Sequence, residues 1–116
     1  MDISVMFQKN TFIVRLQGEL DHHSASEVKG LLEELIRQRG PKHLIFDFTD
    51  LTFMDSSGIG VIIGRYKLIS SMGGKVYICG ASRTVDRLLL MSGIKKLIPT
   101  FSTCSAALTT IEEVVS

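Results

Sequence analysis

Tryptophan is absent, cysteine and proline occur only twice each, and neither sign of charge prevails. Thirteen Lys and Arg stand against 12 Asp and Glu, for a net charge of +1. The basic residues are scattered, which excludes the electrostatic footprint of a nucleic-acid binder. Long apolar runs are missing too. The longest uncharged apolar stretch, near Ile59–Gly64, falls far short of the ~20 residues that cross a bilayer. The first residues, Met1-Asp2-Ile3-Ser4-Val5, lack the basic and apolar blocks of a signal peptide. A cytoplasmic protein with no membrane partner is expected. Cys79 and Cys104 lie far apart in apolar settings and read as two small buried hydrophobes, not a disulfide or redox pair. No His, Cys or carboxylate cluster has metal-ligand spacing, so no metal and no cofactor are expected.

What is present is an ordinary globular composition: 116 residues, 45% hydrophobic and 22% charged. One domain spanning 1–116 can bury roughly 60–70% of its unfolded surface, enough for a core without staples. Ile3, Val5 and Phe7 alternate with polar residues, as do Phe12, Val14 and Leu16; joined at Gln8-Lys9-Asn10, they predict an antiparallel hairpin. Ser24-Ala25-Ser26-Glu27 reads as a capping box, with His22 and His23 in the loop before it. Val28, Leu31, Leu32, Leu35 and Ile36 follow at helical spacing, and Gly40-Pro41 stops the helix.

Leu44–Phe48 and Val76–Cys79 are nearly continuous apolar runs that suit strands buried on both faces. Between them a helix starts near Ser56, with Ile59, Ile62, Ile63, Tyr66 and Ile69 as its inner stripe, and ends at Gly73-Gly74. Ser82 caps a short helix carrying Val85, Leu88, Leu89 and Met91. Ile98–Phe101 predicts a brief edge strand. Cys104, Leu108, Ile111 and Val115 line a last helix capped by Ser102 or Thr103. Strands alternating with helices imply an α/β fold: a mixed central sheet of roughly four to five strands, packed by about four helices.

In open α/β sheets, ligands and partners gather where strands end and helices begin. Asp55-Ser56-Ser57-Gly58 stands there. The first amides of a helix lack intrahelical acceptors and its dipole is positive, so a phosphate on either serine would be accommodated. Ordinary N-capping explains one such residue, not three in a row followed by Gly58, Gly60 and Gly64. Each helical glycine costs roughly 1 kcal/mol relative to alanine. Gly60, Val61, Gly64, Arg65 and Leu68 read as an outward strip for a protein partner, or as a face packed under another part of the chain. Asp21, at the end of a strand on the same rim, is a candidate neighbour of Ser56.

Enzyme signatures fail. Gly58–Gly64 is one residue too long for a dinucleotide fingerprint, and no phosphate-binding Gly-x-x-x-x-Gly-Lys-Ser/Thr exists. Ser56 lacks a nucleophile elbow, and no carboxylate–His spacing joins it to His22 or His23. No catalytic residue is assigned.

Phe53-Met54-Asp55-Ser56-Ser57-Gly58-Ile59-Gly60-Val61, preceded by Gly18-Glu19-Leu20-Asp21-His22-His23, resembles the STAS-domain family of anti-sigma factor antagonists. The likeness extends to Gly64-Arg65-Tyr66-Lys67, Met72-Gly73-Gly74 and Met91-Ser92-Gly93, and is nearest to the sporulation branch, the anti-sigma-F factor antagonists. The resemblance implies a STAS-like single domain that binds an anti-sigma factor serine kinase and releases a sigma factor. It implies that the kinase phosphorylates Ser56, ending the interaction, and that a serine phosphatase restores the hydroxyl. Asp21, Asp55, Ser57, Gly58, Ile59, Gly60, Val61, Gly64 and Arg65 are the partner-binding candidates, on a protein expected to be monomeric. Two alternatives stay open: the general-stress branch of the same family, and a nucleotide- or small-molecule-binding STAS regulator.

Overall fold

The computed structural model describes the backbone of residues 1–115 and side chains through residue 112. Strands β1 (Asp2–Gln8) and β2 (Thr11–Leu20) form the expected antiparallel hairpin. Lys9 and Asn10 turn it with φ of 52° and 60°, the pairing of positive angles whose twist matches right-twisted strands. Helix α1 (His22–Arg39), β3 (His43–Asp47), β4 (Leu51–Met54), α2 (Ser56–Ser71) and β5 (Val76–Cys79) follow. The chain continues through α3 (Arg83–Ser92), a 3₁₀ turn at Ile94–Lys96, β6 (Thr100–Phe101) and α4 (Cys104–Val115).

The main sheet runs β1-β2-β3-β5-β6, antiparallel only at β1–β2. β3 and β5 are buried at every residue, as their unbroken apolar character predicts. Alternation along the strands divides the core in two. Phe12, Val14, Leu16, Leu44, Phe46 and Ile78 face α1, α2 and α3. Ile45, Tyr77 and Cys79 face Ala107 and Ile111 of α4 on the other side. At the opposite end of β3, buried His43 accepts the Lys75 amide on Nδ1, 3.0 Å away. Burial first, then the charges of Lys42 and Lys75, holds that imidazole's pKa below the ordinary range.

Several expectations are corrected. β4 was not predicted. It pairs with β2 beyond an irregularity at Gly18/Glu19, where φ of Gly18 is +114°. A bulge lets β2 leave β3 and continue beside a four-residue strand, too short for period-2 patterning to reveal. The sheet thus has six strands. α1 starts at His22, so its N-cap is Asp21 and its capping box is Asp21/Ser24, not Ser24/Glu27. The Ser24 hydroxyl donates to the Glu19 carbonyl, 2.7 Å away, and accepts the Asp21 amide at 3.0 Å. His22 and His23 are therefore helical. Of the apolar residues that α3 carries, Val85 and Leu89 are buried and Met91 is 75% exposed. Thr103, not Ser102, caps α4, accepting the Ala106 amide at 3.1 Å. The side chain of Val115 lies outside the described residues.

Cys79 and Cys104 are corrected most plainly. Cys79 is buried as expected, but the two form a disulfide across a separation of 25 residues. α4 folds back over the sheet, and its first residue lands beside the end of β5. Among the described residues, no helix is long and apolar enough to cross a membrane.

Candidate functional site

β2 and β4 run parallel, with Leu20 in register with Met54. The next residue on each strand, Asp21 and Asp55, is the N-cap of the next helix. Their backbones are nearly superposable: φ −118°, ψ −171° at Asp21, and φ −119°, ψ −170° at Asp55. The Asp55 amide donates to the Leu20 carbonyl at 3.3 Å, tying the two caps together. Two helix N-termini therefore open side by side at the carboxyl ends of a parallel strand pair, and Asp21 does stand beside the serine turn.

The Asp21 carboxylate accepts the amides of His23 and Ser24 at 2.9 and 3.0 Å. The Ser24 amide is the main reason its pKa lies below the ordinary carboxylate value, against a smaller opposing effect of desolvation. Asp55 accepts the Ser57 amide at 2.8 Å. Both caps are thereby occupied in holding helix starts, and both leave negative charge at the rim.

The two serines are not equivalent. Ser56, the first residue of α2, is exposed; Ser57 is half-buried, with its amide committed to Asp55. Gly58 is buried. A Cβ there would lie 2.6 Å from Met54 Cγ and 3.0 Å from Leu20 Cδ2, so this glycine lets α2 pass close over the strand pair. Internal packing is therefore sufficient reason for glycine here. Ile59 is half-buried and packs against the core.

The proposed outward strip divides. Val61 and Arg65 are 5% and 6% exposed and pack toward α1, which corrects their reading as outward-facing. Arg65 Nη2 donates to Glu33 of α1 at 3.2 Å, whereas its Nε and Nη1 find no partner among the described residues. At Gly60 and Gly64 a Cβ meets nothing within 4 Å, so both face open space. Together with Ser57 and the inward-turned Val61 and Arg65 they line one wall of a groove of about 430 Å³. The other wall, from α1, is His22, Ser26 and Lys29, residues the sequence reading did not select. Their helical spacing, continued to Glu33, was the available signal; assigning the histidines to a loop concealed it. His23 lines a separate hollow with Asp21 and Glu19, while its ring meets that of His22 edge-on, with centroids 5.8 Å apart.

Glycine at positions 60 and 64 is thus not required by the fold. Gly60→Ala and Gly64→Ala are each expected to stabilise the isolated protein by about 0.5–1 kcal/mol, read from urea unfolding midpoints. The same methyl groups would narrow the groove.

The STAS domain model matches residues 2–107. The chain is 43% identical over 114 residues to an anti-sigma F factor antagonist of Paenibacillus polymyxa, covering 98% of this chain and 97% of that protein. It is 29% identical over 98 residues to an anti-sigma-B factor antagonist of Staphylococcus aureus, covering 84% of this chain and 90% of that one. Among solved structures it is similar to the anti-sigma factor antagonist SpoIIAA in its unphosphorylated form, with TM-score 0.74, 27% identity and coverage of 96% and 98%. The phosphorylated form, from Bacillus, gives TM-score 0.75, 28% identity and coverage of 95% and 99%. A family match over nearly the whole length, on a fold that carries the serine turn between paired caps, means that this chain belongs to the STAS domain family.

Proposed function

We propose that this protein is an anti-anti-sigma factor of the sporulation branch, acting in the cytoplasm as a regulator and not as an enzyme. Its unphosphorylated form binds an anti-sigma factor that is also a serine kinase, and so frees the sigma factor. Phosphorylation of Ser56 ends the interaction, and a serine phosphatase restores it. Higher identity to the relative named for sigma F than to the one named for sigma-B, 43% against 29%, favours this branch over general stress.

The observation that carries the switch is the contrast between the two serines. A kinase must reach the hydroxyl, and Ser56 is exposed at the first helical position while Ser57 is half-buried beneath it. A phosphate adds about −1.5 to −2 charge. The positive end of the dipole at the start of α2 tolerates it. Asp21 and Asp55 already place negative charge at the same rim, so the phosphate adds to it. The fold is therefore kept while docking is lost. The Gly60/Gly64 groove behind the serine supplies the partner's footprint.

Incubation with ATP and the candidate anti-sigma kinase, followed by peptide mass spectrometry, is expected to place one phosphate on Ser56. Phosphate on Ser57 would overturn the residue assignment.

A further inference from the structure

We infer that Cys79 and Cys104 are a reversible modification site, a disulfide closed by exchange with a small disulfide of the glutathione class and reopened by the matching thiol. The two residues come from different elements. Cys79 ends β5 and Cys104 begins α4, yet their Cα atoms are 5.3 Å apart, within the range a disulfide spans without backbone movement. The Asp47 carboxylate, at the end of β3, lies within 4.8 Å of both sulfurs, so the pair sits at the polar rim of the sheet. The sulfurs differ in access: Cys79 is fully buried and Cys104 only half-buried.

That asymmetry sets the order of events. The Cys104 thiolate attacks the small disulfide, forming a mixed disulfide and releasing one small thiolate. The Cys79 thiolate then attacks the Cys104 sulfur and expels the second. The protons lost by the two protein thiols end on the two small thiols, so the protein is oxidised by two electrons and the small disulfide reduced by two. An excess of small thiol runs both steps backward.

The bond fastens α4. Among the described residues, its other fastenings are Ala107 and Ile111 in a small cluster, with Leu108 beside it, and an exposed Lys9–Glu112 ion pair at 2.7 Å. Reversibility rests in part on the function proposed above, which puts the protein where thiols are kept reduced and disulfides are transient.

The test uses the full chain alone, equilibrated with reduced and oxidised glutathione at varied ratio, then alkylated and weighed. In reducing mixtures both cysteines should take the alkyl group. In oxidising mixtures neither should, and the protein should lose the mass of two hydrogens. Amide exchange in residues 104–112 should slow on the order of 100-fold on closure, as expected for cross-linking a loop of this length. Cys104→Ser should take up no glutathione at buried Cys79 and show no oxidant-dependent exchange. A lasting glutathione adduct on Cys104, a disulfide-linked dimer, or a bond that millimolar glutathione cannot open in the folded protein would each overturn the inference. No kinase is present, so a negative result leaves the anti-sigma reading untouched.

Discussion

Ser56→Asp is expected to weaken binding to the proposed anti-sigma kinase by about two to three orders of magnitude, while Ser56→Ala is expected to bind within a few-fold of the parent. The estimate follows from placing an unpaired charge in an interface, which costs about 3–5 kcal/mol, at about 1.4 kcal/mol per tenfold in affinity. Beside it at the two caps stand the carboxylates of Asp21 and Asp55, both holding caps, while the basic His22 and Lys29 line the groove behind Ser57. The fold should not suffer. An acidic side chain in the first turn of α2 meets the positive end of the helix dipole, a favourable effect of about 0.3–1 kcal/mol. Titration calorimetry and thermal unfolding on the same samples separate the two effects. Equal affinity for Ser56→Asp and the parent would sink the charge mechanism. Lost affinity with a lowered unfolding temperature would show that the substitution acts through the fold.

Gly74→Ala is expected to be the most destabilising single-methyl change. Its Cβ would stand 1.6 Å from the Lys42 carbonyl oxygen and 2.7 Å from Ile69 Cγ2. The nearest obstacle is backbone, held by the Lys42 amide bonded to Asn10 O at 2.7 Å and the Leu44 amide bonded to Lys75 O at 3.0 Å. The turn between α2 and β5 must open to admit the methyl. We expect a loss of about 3 kcal/mol or more, at the upper end of overpacking costs. For a domain of this size that lowers the midpoint by roughly 10 °C. Gly73→Ala is the internal comparison. Gly73 has φ of +80° with open space around it, so only the left-handed backbone is penalised, at about 1–2 kcal/mol. Chemical denaturation of the pair reads the difference; equal losses would mean that the Lys42 segment yields.

These predictions bear unequally on what residue patterns can reveal. The hairpin, the four helices and the two buried central strands follow from local physics: alternation, helical spacing, caps and stop glycines act within a few residues. Asp55-Ser56-Ser57-Gly58 was recognisable for the same reason, since a cap and the turn after it are local. Fine placement was not. The Asp21/Ser24 capping box lost to Ser24/Glu27 because both spacings satisfy the same rule, and only the end of β2 decides which residue leaves the strand. Gly58, Gly60 and Gly64 look alike in a row of letters. One avoids Met54 and Leu20, and the other two face open space.

The sequence by itself therefore determined the α/β class and the serine turn at a helix start, and its likeness to the STAS family supplied the proposal of Ser56 as the switch. Tertiary structure alone decided that Asp21 and Asp55 stand as twin caps, because β4 pairs with β2 through a bulge that no local pattern announces. It alone turned Val61 and Arg65 inward, since the face a helix buries depends on where α1 crosses it. It alone joined Cys79 to Cys104, because contact between residues 25 apart is set by the path of α3 and β6 between them, not by either cysteine's neighbours.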